Sequence, residues 1–578
     1  MKISKTLLIL FMIILLAGIL RAIAALSVDI GTDEMIYTVL PFNIISAHRL
    51  STIEQAPIYF YLVDIGYKMT GGLSLLSGRL PNIFFGALAS IVIFLISLEL
   101  FSNKKAALLT AFFFAISGYA IRYSQEMDMT AYFLVLLSIF FFIRVLKGQH
   151  QNLYASTLFL ALAVLVKPIV LLFLPAYAIT WLWQGWKLKN GIIHKEENKL
   201  KIDRKILRTL GYCIFLIILI ISPVLIYNYL LYQDKGFTDY YFSTLAGIGD
   251  QGPYAGQEGT AWTWSELAGI TKIIFTSIFH FDWLLLIFGM IGLWFSFKKD
   301  KYSSSYLILT AILLLFYLAG KTASSSHYLW LPLILSIFAG YGTMKISDLI
   351  REKIKFNHII SIIIIIALVS TAMVIKQIIP LKEQSIAIAL HDYADKNIPE
   401  NAVVVLDPRI YRGIYAWAFP NLHYLEGTYF PDVTNNLKKI PGNTVSIPIY
   451  YIECGPGTYC GWKPEDFERI TPFAQQLSSF FHQQTQKIAE IKAIDTFYVY
   501  SGQMTLPTGV YETIDRTHSF WYTPVGWKYP ELAPDYYILT SPIDKIMQSV
   551  GFFILYLDVA IALLSAGLVF YLLGRQSD

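Results

Sequence analysis

The chain has 578 residues, of which 56% are hydrophobic, 15% aromatic and only 15% charged. Soluble domains carry about 25% charged residues, so an ordinary soluble enzyme is excluded, as are a disordered and a collagen-like chain. The apolar runs are too long for an outer-membrane barrel, and the net charge of +5 matters less than where the charges sit.

Taken in chain order, twelve apolar runs read as membrane helices: 7–26, 81–101, 106–121, 130–146, 154–166, 168–184, 210–231, 281–297, 304–320, 329–344, 358–375 and 549–573. A span needs about 20 apolar residues, and several of these are short. The first also reads as a signal peptide, with Lys2 and Lys5 ahead of the apolar core and a cleavage-like Ala22-Ile23-Ala24. The fifth and sixth are separated by Lys167-Pro168. Proline disfavours helix at the preceding residue, so the pair is expected to form a tight hairpin.

Lysine and arginine set the orientation. Alternating the connections from an inside N-terminus puts 22 basic residues inside and 8 on the outside connections before residue 376. The inside set includes the run from Lys187 to Arg208, which reads as inside bias and lipid-headgroup contact. Both termini are then cytoplasmic, in a cell membrane. Two outside connections, 27–80 and 232–280, are long. The first holds amphipathic runs such as Ala56 to Tyr67, and the second is rich in Gly, Tyr and Trp.

The expected organisation is a transmembrane region 1–375, an outward-facing domain 376–548 and a C-terminal helix 549–578. The fold class is mainly α, a polytopic helical bundle with a small α/β domain. In that domain Glu383 to Lys396 reads as an amphipathic helix, and Val403 to Leu406 and Phe497 to Tyr500 read as strands. Cys454 and Cys460 flank Gly-Pro-Gly-Thr-Tyr; a loop-closing disulfide is the first reading and a two-cysteine zinc site the second.

Candidate chemistry gathers at the outer face. Asp33 and Glu34 follow the first span, and Glu126 and Asp128 lie in a short connection that pins them at the interface. A carboxylate near hydrocarbon is costly unless paired or used; in the longer loop, Asp33 and Glu34 read equally as solvated charges. On the same face stand Arg79, Arg122, Lys167, Lys321 and His327, the last followed by Tyr328. Each cation alone reads as a snorkelling anchor. Five together beside carboxylates point to a cavity that holds an anion, and Lys321 with His327 could clamp a phosphate. There is no phosphate-binding glycine loop, no His-Glu-x-x-His and no Gly-x-Ser-x-Gly, and nothing indicates nucleic-acid binding.

The order of these segments resembles a known family. Asp33-Glu34-Met35-Ile36-Tyr37 is followed by Gln55-Ala56-Pro57-Ile58-Tyr59, Gly78-Arg79-Leu80-Pro81 and Tyr123-Ser124-Gln125-Glu126. Then come Val166-Lys167-Pro168 and His327-Tyr328-Leu329-Trp330-Leu331-Pro332. Across roughly residues 1–345 this is similar to the GT-C membrane glycosyltransferases of the protein O-mannosyltransferase and aminoarabinose-transferase type, glycosyltransferase family 39 and its relatives. The resemblance implies inverting transfer of a sugar from a polyprenyl-phosphate carrier to a protein, lipid-linked glycan or envelope acceptor. It implies Asp33 as the base with Glu34 beside it, and a donor phosphate held by Arg79, Arg122, Lys167, Lys321, His327 and Tyr328. In two places the chain departs from the family pattern. Asp128 stands where the second loop usually has arginine, and Gln55-Ala56 stands where His-Pro or Lys-Pro is common before Pro57. A divalent ion, which some relatives bind, would fall to Glu126 and Asp128. The Trp-Trp-Asp-Tyr-Gly signature of oligosaccharyltransferases is absent. The competing readings are a lipid or solute transporter and a noncatalytic envelope scaffold.

Overall fold

The structure is a computed structural model. It describes residues 5–28, 34, 57–72, 74–188, 193–196, 199–202, 204–235, 263–320, 325–350, 356–410, 418–419, 422–427, 443–461, 464–508, 549, 553 and 556–569. Helix α1 spans Lys5–Ala25, α2 Pro57–Thr70, α3 Leu75–Phe101, α4 Lys104–Ala115, α5 Gly118–Tyr123, α6 Asp128–Leu146 and α7 Asn152–Val164. A 3-10 turn Pro168–Leu172 leads into α8, Phe173–Leu188. The basic run then forms an antiparallel hairpin of β1 Ile193–Glu196 and β2 Lys199–Ile202. Next come α9 Arg204–Lys235, α10 Trp264–Ser296, α11 Lys301–Gly320, a 3-10 turn Ser325–Leu329, α12 Trp330–Ile350 and α13 Phe356–Ile378.

Eight helices among the described residues are long and apolar enough to cross a membrane, and they coincide with eight of the twelve expected spans. The runs 154–166, 168–184 and 549–573 fall on shorter apolar helices, the last being Tyr556–Val569. The run 106–121 is broken into α4 and α5 at Ile116-Ser117. Two expectations change. The chain turns at Lys167-Pro168, but α7 and α8 part rather than form a tight hairpin: α7 packs on α6 and α9, and α8 chiefly on α11. Proline there starts a 3-10 turn, which redirects the chain. Residues 264–280, read as outer loop, are the first half of α10. The helix starts at a capping box, Thr263 with Glu266, and kinks at Asp282, whose φ of −143° and ψ of 40° are not helical.

Helices α10 and α12 pack against each other through glycines. A Cβ on Gly292 would lie 1.9 Å from the Phe338 carbonyl oxygen, and one on Gly342 would lie 2.1 Å from that of Phe288. Small residues let helix backbones approach in a membrane, where packing and not solvent drives association. Gly292→Leu is therefore expected to force the pair apart at a cost above the ~1–3 kcal/mol of ordinary overpacking. A melting curve in detergent should show it; an unchanged midpoint would mean the two helices do not meet there.

After α13 and a one-turn helix, Leu381–Gln384, come α14 Ile386–Asn397, β3 Val403–Leu406, β4 His423–Glu426 and β5 Thr444–Cys454. Helix α15 Pro464–Gln484, β6 Gln486–Lys492 and β7 Thr496–Pro507 complete the unit. The sheet order is β4-β3-β5-β7-β6; β3, β4 and β5 run parallel, and β7 is antiparallel to β5 and β6. Val403 to Leu406 of β3, flanked by β4 and β5, are all buried, as a strand covered on both faces requires. Helix α15 closes one face, with Phe481 stacked at 4.4 Å on Tyr451. Cys454 and Cys460 form a disulfide, which closes the loop after β5. Burial pushes the Asp407 carboxyl up from its ordinary value, against the pull of Arg409 and two main-chain amides. The final described helix is α16, Tyr556–Val569.

Candidate functional site

The ends of α1, α5 and α7, the starts of α3, α6 and α12, and the C-terminal end of α13 meet at one end of the bundle. There Ala24, Ile121, Val374 and Ile378 form one apolar cluster. The same end carries buried ionic groups.

Arg79 lies in the first turns of α3 and is fully buried. Its Nε donates to Glu34 Oε1 at 2.6 Å and its Nη2 to Oε2 at 2.7 Å. Its Nη1 donates to the carbonyls of Ala25 at 2.6 Å and Val28 at 2.8 Å. A bidentate pair of this kind is directional as well as charged, so Arg79 anchors both Glu34 and the chain leaving α1. Asp33 lies outside the described residues, but it directly precedes this anchor.

The second cluster joins α6, the α7 exit and the turn before α12. Lys167 Nζ donates to Asp128 Oδ2 at 2.6 Å, with side chains 1% and 0% exposed. His327 Nδ1 lies 3.3 Å from that oxygen and 3.3 Å from the ammonium. Ser326 Oγ donates to Glu126 Oε2 at 2.8 Å. The turn carrying His327 is itself held, since the hydroxyls of Tyr119 and Tyr132 donate to the carbonyls of Ser325 and His327 at 2.6 and 2.9 Å. Asp128 Oδ1 is buried without a hydrogen-bond partner, as are Ser124 Oγ, Gln125 Oε1 and the Tyr328 hydroxyl. Buried polar atoms are rarely left so.

Asn82 links the two clusters. Its Nδ2 donates to the Tyr59 hydroxyl at 2.7 Å and to the Gln125 carbonyl at 2.8 Å, and its Oδ1 accepts from Thr130 at 2.7 Å. Arg122 is half-buried beside the Tyr123 ring, 5.7 Å from its centroid. Lys321 lies outside the described residues. Thus Glu34 meets Arg79, and Glu126, Asp128, Lys167 and His327 meet one another. Glu126, Asp128 and His327 each offer one ligand atom, all within 4.8 Å of one another, which suits a metal ion by residue type and spacing. The Lys167 ammonium stands among them, however.

Two residues escaped the sequence reading because they lie inside apolar runs. Arg21 of α1 is fully buried. It donates to the carbonyls of Ala115 at 3.3 Å and Phe114 at 3.5 Å, the last of α4, and Gly86 leaves room for it, since a Cβ there would sit 2.7 Å from its side chain. Asp282, at the kink of α10, accepts from Ser117 Oγ at 2.7 Å and from the amides of Gly118 and Tyr119 at 2.7 and 2.9 Å. A cation therefore closes the C-terminal end of α4 and an anion the N-terminal end of α5, as the helix dipoles favour. A charge inside a span was the available signal.

No curated protein matches the chain. Two solved structures are similar in shape. One is the Archaeoglobus fulgidus oligosaccharyltransferase in the apo form, at 15% identity and TM-score 0.46 over 78% of this chain and 70% of that one. The other is the archaeal oligosaccharyltransferase AglB from Archaeoglobus fulgidus in complex with an inhibitory peptide and a dolichol-phosphate, at 14% and 0.47 over 77% and 69%. An overlap this loose fixes neither site nor ligand. A family model described as dolichyl-phosphate-mannose-protein mannosyltransferase matches residues 54–227, a stretch that runs from the Pro57 segment through Arg79, Glu126, Asp128 and Lys167 to α9. Over that stretch the chain resembles the dolichyl-phosphate-mannose-protein mannosyltransferases, membrane glycosyltransferases of the GT-C type.

Proposed function

We propose that the chain is an inverting glycosyltransferase that moves a sugar from a polyprenyl-phosphate carrier to a protein, lipid-linked glycan or envelope acceptor. The reaction would take place at the outward face of a cell membrane, with both termini cytoplasmic. The observation that carries this reading is the paired ionic clusters at one end of an apolar bundle, within and beside the family-matched segment. Inversion needs one displacement and hence one base at the acceptor nucleophile. Asp33 takes that role, because the adjacent Glu34 is committed to Arg79. The leaving phosphate needs no proton, unlike the alcohol lost by a glycosidase, but it needs positive charge as the bond breaks. Arg79 and Lys167 are held by carboxylates, so their part is to position the loops. Arg122, which holds no carboxylate among the described residues, is left to meet the phosphate with His327, Tyr328 and Lys321. The α/β unit 376–548 and the aromatic segment 232–262 are assigned to the acceptor, since aromatic faces pack on sugars.

The test is a release assay. The reconstituted chain and its Asp33→Asn variant are given a panel of polyprenyl-phospho-sugars with envelope extract as acceptor, and free polyprenyl phosphate is followed by mass spectrometry. The variant is expected to be slower by about 10²–10⁴-fold. Equal rates would move the base to Glu34 or Glu126. No release with any donor would favour a transporter or a scaffold.

A further inference from the structure

We propose that Lys167 is the resident cation of the Glu126–Asp128–His327 cluster. Its ammonium holds the place a divalent ion would take, so the cluster accepts a metal only when that ammonium is removed. This goes beyond the transferase reading, and it is read out by metal binding rather than by transfer.

The three residues have the donor set of a metal site, one imidazole nitrogen and two carboxylates, with ligand atoms within 4.8 Å of one another. The ammonium uses two of the three already, at 2.6 Å from Asp128 Oδ2 and 3.3 Å from His327 Nδ1. A divalent ion coordinated by those atoms at about 2.0–2.2 Å would lie against the ammonium, and two like charges in a buried site repel strongly. One cation must leave, and Lys167 is poorly placed to do so. Its side chain is 1% exposed. Its main-chain amide donates to Ala163 O at 2.8 Å, and Pro168 fixes the turn that follows.

The charge pattern fits the same assignment. Asp128 brings a buried carboxylate, and Lys167 supplies its cation from the neighbouring helix exit. Asp128 Oδ1, buried and without a partner, is a lone pair still open to a ligand. With the ammonium gone, that atom, Oδ2, His327 Nδ1 and a Glu126 oxygen, which already lie within 4.8 Å of one another by residue, are placed to converge on an ion.

The experiment compares the full-length chain in detergent with Lys167→Met and Lys167→Gln. Each is incubated with Mn²⁺ or Zn²⁺, desalted, and assayed for bound metal by mass spectrometry and for metal-dependent thermal stabilisation. The wild type is expected to retain no metal and to melt unchanged with or without EDTA. At least one Lys167 variant is expected to retain about one equivalent with a raised midpoint, as metal binding couples to stability, and His327→Ala in that background should abolish it. A wild-type equivalent of metal that Asp128→Asn removes would overturn the proposal. So would two monodisperse Lys167 variants of which neither binds any. Should both variants aggregate, the wild-type metal content alone decides. Sugar transfer enters neither outcome, so the proposal and the transferase reading can fail separately.

Discussion

Glu34→Ala is expected to destabilise the chain by about 3–5 kcal/mol, because it removes the carboxylate that pairs with the buried Arg79 guanidinium through two hydrogen bonds. The pair is almost wholly buried, at 1% and 5% exposure, so solvent screening offers little relief. The Ala25 and Val28 carbonyls would still accept from Nη1, but two neutral oxygens do not neutralise a cation. The double variant Glu34→Leu with Arg79→Met should recover much of the loss, since replacing both members of a buried pair by apolar side chains is often neutral. Transfer should not recover with it. The pair ties the chain leaving α1 to α3, and Asp33 is one residue from the anchor, so the folded double variant should lose turnover. Melting curves and the release assay on the same three preparations separate the effects. A double variant with full turnover would show that the anchor does not position the base.

Much of the bundle was legible because an apolar run of about 20 residues has few other fates. Val403 to Leu406 was legible for a similar reason, a short β-branched run closed by Asp407-Pro408. Start points were less so. The run from Trp264 to His280 is broken by glycine, threonine and lysine and read as loop, although Thr263-x-x-Glu266 is a helix-start signature. Helix α3 likewise begins at the Ser74–Ser77 capping box, six residues before the apolar run at 81.

In the site, sequence showed the sign of each charge but not its partner. Arg79 and Lys167 counted among five cations available to a phosphate. Only the fold shows that each already holds a carboxylate, Glu34 across 45 positions and Asp128 across 39. Arg21 and Asp282 were hidden differently, because one charge barely changes the mean hydropathy of a span. Their meaning depends on the break at Ile116-Ser117, which no window of composition reveals.

That break supports the second large expected effect. Where α4 ends and α5 begins, the helical ladder is interrupted inside the bundle, and every freed backbone group there needs a partner. Arg21 takes the carbonyls of Phe114 and Ala115, and Thr371 Oγ1 donates to that of Ile116 at 2.9 Å. Asp282 takes the amides of Gly118 and Tyr119 and the Ser117 hydroxyl. Asp282→Ala strands three buried donors at about 1–3 kcal/mol each and leaves Arg21 without its nearby anion, so a loss of at least about 3 kcal/mol is expected. Asp282→Asn keeps the shape and one strong acceptor and should lose roughly half as much. The functional effect follows from what α5 carries. Arg122 lies on it, and Glu126 and Asp128 follow within six residues. A loosened α5 should therefore slow release by Asp282→Asn more than its unfolded fraction accounts for, measured well below its melting midpoint. Arg21→Met, which frees the other side of the break, should reproduce the pattern. If Asp282→Ala melts with the wild type, α5 is held by something other than this charge, and the site it carries does not depend on the kink in α10.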